Sequence, residues 1–173
     1  MRYTENNRDF FLQPAEALAP LLLGKLLCKE FPDGTVKKLR ITETEAYCER
    51  DSASHSFGGM TKSNRSMFMI GGTAYVFNCH GWQFNIISNA SGVGEGVLIR
   101  GVDGFGGPVK LTKGLNIVKE EVDGIDLLSP RSPIWLEDDG YEAQYNVSPR
   151  KLGENKSADA VAQNRLWRFQ LVP

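Results

Sequence analysis

Three things are scarce in these 173 residues: cysteine, histidine and any surplus of positive charge. The three cysteines, Cys28, Cys48 and Cys79, are odd in number and widely spaced. That argues against a disulfide framework and for a reducing compartment, with the cytoplasm as the default. The two histidines, His55 and His80, leave little to build a metal site from. Cys48, His55, Cys79 and His80 are the only soft ligands near one another. None has a CxxC-like spacing, and neighbours on a strand end such as Cys79 and His80 point to opposite sides. No metal and no cofactor is therefore expected. Lys and Arg total 20 against 21 Asp and Glu, a net charge of −1. Nucleic-acid proteins usually carry a basic face, so the overall balance lends that class no support. Only two local clusters exist, Lys62 with Arg65 and Lys110 with Lys113. No apolar run is long enough to span a bilayer, so no membrane partner is expected. The opening Met1 to Phe10 is polar and charged, unlike a secretory signal. No obligate protein partner is evident.

What is present is an ordinary globular composition, 41% hydrophobic and 24% charged. The length suits one domain, residues 1–173, with an ample core. The most informative stretch is Leu39 to Tyr47. β-Branched and apolar residues recur there with period two, which predicts a strand. Alternation puts Leu39, Ile41, Glu43, Glu45 and Tyr47 on one face and Arg40, Thr42, Thr44 and Ala46 on the other. Both carboxylates thus share the apolar phase. A glutamate pointing where leucine and isoleucine point is costly unless it is paired, protonated or lining a cavity. An edge strand running out of the core into water would give the same pattern.

Elsewhere, Pro14 to Leu27 reads as a helix, with Pro14 at its start and Ala15, Leu18, Leu22 and Leu26 at helical spacing. Pro32-Asp33-Gly34 is a turn. Cys48 to Ile70 is a long polar connection, and unstructured connections of that length are usually functional. It carries His55 directly after the two carboxylates. Thr73 to Cys79 and Trp82 to Ser88 read as strands joined by His80-Gly81 as a two-residue hairpin turn. That puts His80 and Trp82 at an exposed tip. Val97 to Val102 is a further strand on which Leu98, Arg100 and Val102 share a face. An arginine in an apolar phase needs a partner, and Glu43 or Glu45 could supply it. Gly104 to Gly107 is a turn, Pro108 to Asn116 a short helix, and Ile134–Leu136 and Arg165–Val172 are strands. Gly140 to Ala162 reads as irregular.

Taken together the pieces resemble the alkyladenine (3-methyladenine) DNA glycosylase family. The matching stretches are Leu22-Leu23-Gly24-Lys25-Leu26-Leu27, Ile41-Thr42-Glu43-Thr44-Glu45-Ala46-Tyr47, Ala53-Ser54-His55-Ser56, Asn64-Arg65-Ser66-Met67-Phe68 and Gly72-Thr73-Ala74-Tyr75-Val76-Phe77. Val97-Leu98-Ile99-Arg100, Lys110-Leu111-Thr112 and Trp167-Arg168-Phe169 follow in family order. The resemblance implies an α+β fold, one compact domain with a curved, mainly antiparallel mixed sheet flanked by helices. It implies a monofunctional enzyme that flips damaged purines out of double-stranded DNA and hydrolyses their N-glycosidic bond. Such an enzyme is cytoplasmic, and nucleoid-associated if bacterial.

Carried over residue by residue, Glu45 is the catalytic glutamate and Arg100 its arginine. Tyr47, His55 and Phe77 are the walls of the base pocket, with Phe77 where the family usually has Tyr. His80-Gly81 stands where most members have Tyr-Gly at the wedging tip, next to Trp82. Asn64, Arg65 and Lys110 fall among the DNA contacts. Counting from the tip, the family's pocket asparagine falls on Ile87, with Asn85 two positions earlier on the same face. Two other readings compete. One is a nucleic-acid-binding module of the same fold with lost or altered activity. The other is a carbohydrate glycosidase using Glu43 and Glu45, which an i, i+2 spacing holds about 6–7 Å apart, within the range of such pairs.

Overall fold

The computed structural model describes residues 1–173. In chain order the elements are α1 (Ala15–Leu22), β1 (Leu26–Glu30), β2 (Val36–Tyr47), β3 (Ala74–Asn78), β4 (Trp82–Ile87), β5 (Gly96–Val102), β6 (Phe105–Gly106), α2 (Pro108–Gly114), α3 (Lys119–Val122), β7 (Ile134–Glu137), β8 (Tyr145–Ser148), α4 (Ala160–Asn164) and β9 (Arg168–Leu171). The strands run in the order β3-β4-β5-β2-β1-β7. Strand β9 joins the edge of β2 beyond β1 and carries β8 outside it. Every ladder is antiparallel, and the sheet curls around an α+β core.

Helix α1 is shorter than its leucine spacing predicts. It ends at Leu22, Leu23 is already extended, and Gly24 takes the left-handed φ of 80°. The chain then enters β1, where Leu26 pairs with Arg40 on one side and Glu137 on the other. Two ladders outcompete one more helical turn, so tertiary pairing overrides local preference. What remains of α1 buries Ala15, Leu18, Ala19 and Leu22 in the main core, against β2 and β5. Each such leucine contributes about 1.5–3 kcal/mol of burial. The start of the helix also donates a bond, from the Ala15 N–H to the Glu95 carboxylate at 3.0 Å.

The central ladder, β2 with β5, holds the feature that alternation alone misses. Ile41 pairs with Val102, Glu43 with Gly101 and Thr44 with Ile99. Strand β2 therefore spends an extra residue at Thr42, and β5 spends one at Arg100. These two irregularities cancel in register but reverse the phase of both strands. Before them, Leu39, Ile41 and Val102 join the main core. After them, Ala46, Val97 and Ile99 do, and Thr44 turns its hydroxyl onto the Ala19 carbonyl of α1 at 2.9 Å. Glu43 and Glu45 thus do not share the face of Leu39 and Ile41. Nor does Arg100 share that of Val102. Bulges re-aim side chains in this way, and they concentrate near active sites. Gly101 permits the crossing, because a Cβ there would sit 2.9 Å from the Thr42 hydroxyl.

The remaining differences lie at the margins. The hairpin of β3 and β4 pairs Asn78 with Trp82, so its tip is the three residues Cys79-His80-Gly81 rather than two. The stretch read as irregular, Gly140 to Ala162, contributes β8 and the start of α4. No helix is long and apolar enough to cross a membrane.

Candidate active site

Strand β2 delivers Glu45 to the side of the sheet away from α1, fully buried. Its Oε1 accepts a hydrogen bond from the Tyr47 hydroxyl at 2.9 Å and faces Nη1 of Arg100 at 3.4 Å. Its Oε2 accepts the backbone N–H of Lys151 at 2.5 Å. Burial disfavours the ionised carboxylate and raises its pKa above the ordinary 4.5, while Arg100, the Lys151 N–H, Tyr47 and Arg150 pull the other way without cancelling it. Burial and the neighbouring Glu45 charge push the Tyr47 phenol well above its usual range, so it stays a donor. This setting makes the Glu45 carboxylate readier to take a proton than a solvent-exposed one.

Glu43 is handled differently. Its Oε1 is taken by Nε of Arg168 at 2.5 Å and by Nε of Arg100 at 3.3 Å. A sugar-cleaving carboxylate pair needs both members available to the substrate, which this engagement denies Glu43.

Beside Glu45 lies a cavity of about 100 Å³ whose lining includes Tyr47, His55, Tyr75, Phe77, Asn85, Leu98 and Arg100. His55 and Phe77 meet with ring centroids 3.7 Å apart, and Tyr75 stacks beyond Phe77 at 5.5 Å. Burial against these rings lowers the His55 pKa and keeps the imidazole neutral. Flat apolar walls with few donors suit a planar heterocycle, and base-on-aromatic stacking contributes about 1–3 kcal/mol per base. Tyr75 is a wall that sequence reasoning did not single out. The signal was available, since it stands two residues from Phe77 on one strand.

Asn85 lies in this cavity, its amide donating to the Tyr75 carbonyl at 3.3 Å. Ile87 does not line it. It is fully buried and packs with Met67, Phe68 and Tyr75. Of the two candidates the one that reaches the pocket is therefore Asn85, two residues nearer the tip than Ile87.

That tip stands at the mouth. A wider groove continues outward from the cavity past His80, Pro108, Val109, Lys151 and Asn155. His80 adopts φ 55° and Gly81 φ 129°. A Cβ on Gly81 would lie 2.7 Å from the Val109 methyls, so glycine is what lets α2 back the tip. Thr112 of α2 donates to the Trp82 carbonyl at 2.9 Å. Trp82 itself is 38% exposed, with the Lys119 ammonium 5.7 Å from its ring. Arg65 and Lys110 are exposed. Asn64 is not: it is buried, donating to the carbonyls of His55 and Gly59 and accepting the Thr61 N–H. It shapes the loop that carries His55 instead of meeting a ligand.

The segment after β8 supplies what sequence reading missed. Arg150 is fully enclosed, paired with Asp51 and bonded to the carbonyls of Ala46 and Ala162 at 2.9 Å each. Its guanidinium covers the Tyr47 ring at 4.6 Å. Lys151, Leu152 and Asn155 then line the cavity. The Lys151 contribution to Glu45 is a backbone N–H, which any residue but proline supplies, so no side-chain signal marks it. No three His, Cys, Asp or Glu side chains gather into a metal-holding group.

With this geometry in hand, comparison with known proteins is specific. Residues 9–106 match the family model described as "Methylpurine-DNA glycosylase (MPG)". A Mesorhizobium japonicum protein named "Putative 3-methyladenine DNA glycosylase" is 36% identical, over 88% of this chain and 80% of its own. Proteins of the same name from Chlorobium phaeobacteroides and Borreliella burgdorferi are 34% and 35% identical. They cover 92% and 95% of this chain, and 88% and 95% of their own lengths.

Proposed function

The chain belongs to the methylpurine-DNA glycosylase family, and on that footing we propose that it excises alkylated or deaminated purines of the 3-methyladenine type from double-stranded DNA. Hydrolysis of the N-glycosidic bond leaves an abasic site, the first step of base-excision repair. The observation that carries this reading is the conjunction of a buried, hydrogen-bonded Glu45 with an aromatic-walled cavity built on the same strand end.

A base inside a duplex is out of reach, so the target nucleotide swings into the cavity. The purine lies against Tyr47, His55 and Phe77. Bond breakage builds positive charge on the sugar, in an oxocarbenium-like transition state. Glu45 stabilises that charge and takes the proton of the attacking water, and Arg100 helps hold both. Neutral His55 adds no repulsion toward a cationic, alkylated purine. Such a base is already a good leaving group, so a pocket with few polar groups can select damage by chemistry. Asn85 gates the pocket against the exocyclic amine of undamaged guanine. His80, backed by Gly81 and flanked by Trp82, wedges the duplex from the minor groove. Arg65 and Lys110 contact the flanking backbone. No lyase step is proposed: the enzyme is monofunctional, needs no cofactor, and works where DNA is, in the cytoplasm or at the nucleoid.

The test is release of free base from duplexes bearing 3-methyladenine, hypoxanthine or ethenoadenine, followed by mass spectrometry. Release from at least one lesion, with the strand intact until alkali is added, supports the reading. No release from any of them by folded protein sinks it.

A further inference from the structure

Beneath the cavity, four charged side chains from three strands share one layer: Glu43 and Glu45 of β2, Arg100 of β5 and Arg168 of β9. They are nearly buried, with side-chain exposures of 12%, 0%, 16% and 13%. Arg100 divides itself between the two carboxylates, at 3.3 Å to Glu43 and 3.4 Å to Glu45. Neither contact is short. Arg168, by contrast, holds Glu43 at 2.5 Å, and shorter charge-assisted bonds are the stronger ones. The register makes this choice telling. Arg168 stands directly opposite Glu45 in the β2–β9 ladder, yet its guanidinium reaches diagonally to Glu43. Bonds to Ser148 Oγ and Gln170 Oε1, both at 3.2 Å, fix it there.

We propose that Arg168 is a positioning residue for hydrolysis: by neutralising Glu43 it leaves Arg100 free to face Glu45 and the reacting centre. This rests on the role given to Glu45 above. Remove the Arg168 charge, and Glu43 becomes an unpartnered, nearly buried carboxylate whose only remaining cation is Arg100. Arg100 then turns toward Glu43, and Glu45 loses its nearest positive charge. The other groups facing Glu45 are unchanged in that event: the Tyr47 hydroxyl on its own strand, the Lys151 N–H and the Arg150 guanidinium from the segment after β8. The predicted signature is therefore confined to Arg100, and removing Glu43 as well reverses it.

The experiment uses full-length protein carrying Arg168→Met, Glu43→Gln or both. The Glu45 carboxyl is titrated by carbon-13 NMR without DNA, and single-turnover release of hypoxanthine from a duplex is followed against pH. In Arg168→Met the Glu45 midpoint rises and the acid limb of release moves up with it. Release at pH 7 falls about tenfold while duplex affinity stays within about twofold, since an interaction confined to the reacting centre changes turnover, not binding. In Glu43→Gln the midpoint falls. In the double variant midpoint and rate return toward wild type. An unmoved midpoint in Arg168→Met, or a double variant as slow as that single, overturns the proposal and leaves Arg168 as a tie between β8 and β9. Wild-type protein that releases no base overturns the catalytic assignment of Glu45. The titration, which needs no DNA, still decides in that case whether Arg168 controls the partner of Glu45.

Discussion

At the scale of single residues, Glu45 sets a cost that the chain carries for its chemistry. Its pKa is raised in the folded state, so the unfolded chain gives up that proton at lower pH than the folded chain does. The sign follows from linkage: below the ordinary 4.5 the group is neutral in both states and costs nothing, and the penalty grows as pH rises through the folded value. Glu45→Gln removes the charge and keeps one acceptor oxygen, which serves Tyr47 or the Lys151 N–H but not both. The lost bond costs the same at every pH, whereas the relief of the buried charge grows as pH rises. The melting temperature of the variant relative to wild type should therefore rise by a few degrees from pH 4 to pH 8. Thermal melts at the two pH values check this, and a difference that stays flat or falls toward pH 8 contradicts it. Asn85 makes a second residue-scale prediction. Truncation to alanine should open the gate, so that free guanine appears from undamaged duplex at a rate wild type does not reach. Unchanged guanine release would remove Asn85 from that role.

Elements explain both how far the sequence could be read and where reading stopped. The strand Leu39–Tyr47, the β3–β4 hairpin and the α2 helix were legible, because period two, a Gly-bearing turn and Pro at a helix start are local signals. The oddity of Glu43 and Glu45 was legible too, but for a reason that did not hold. Strict alternation gives them the face of Ile41, whereas paired irregularities at Thr42 and Arg100 swing them to the other side. A bulge is a property of two strands together, and neither sequence records it alone. The leucines of Pro14–Leu27 likewise could not report that Leu26 would find two strand partners. The tip carries a prediction at this scale. His80 projects from a three-residue turn held against α2, so His80→Ala should weaken binding of a lesion-bearing duplex several-fold. The same lesion in single-stranded DNA has nothing to wedge open and should be bound almost as before. Equal losses on both substrates, measured by fluorescence anisotropy, would remove the wedge.

For the whole molecule the decisive fact is how far apart in sequence the site's parts lie. Lys151 reaches Glu45 across 106 positions, and Arg168 reaches Glu43 across 125. Those partners lie in or beyond a segment with no periodic signal, and they act through a backbone N–H and a diagonal ion pair. The family resemblance covered nearly the whole chain and still could not reveal them. The overall charge of −1 bears on DNA affinity as well. With few exposed cations near the mouth, duplex binding should release few counterions. A plot of log K against log salt should have a slope no steeper than about −4, as expected for about four neutralised phosphates. A slope near −10 would contradict this.

One measurement bears most directly on the account: wild type and Glu45→Gln side by side on a duplex carrying a single hypoxanthine, each reaction split between alkali and neutral quench. The account predicts strand breakage for wild type only after alkali. For Glu45→Gln it predicts no breakage under either quench, with lesion binding retained. Breakage by Glu45→Gln at the wild-type rate would contradict it.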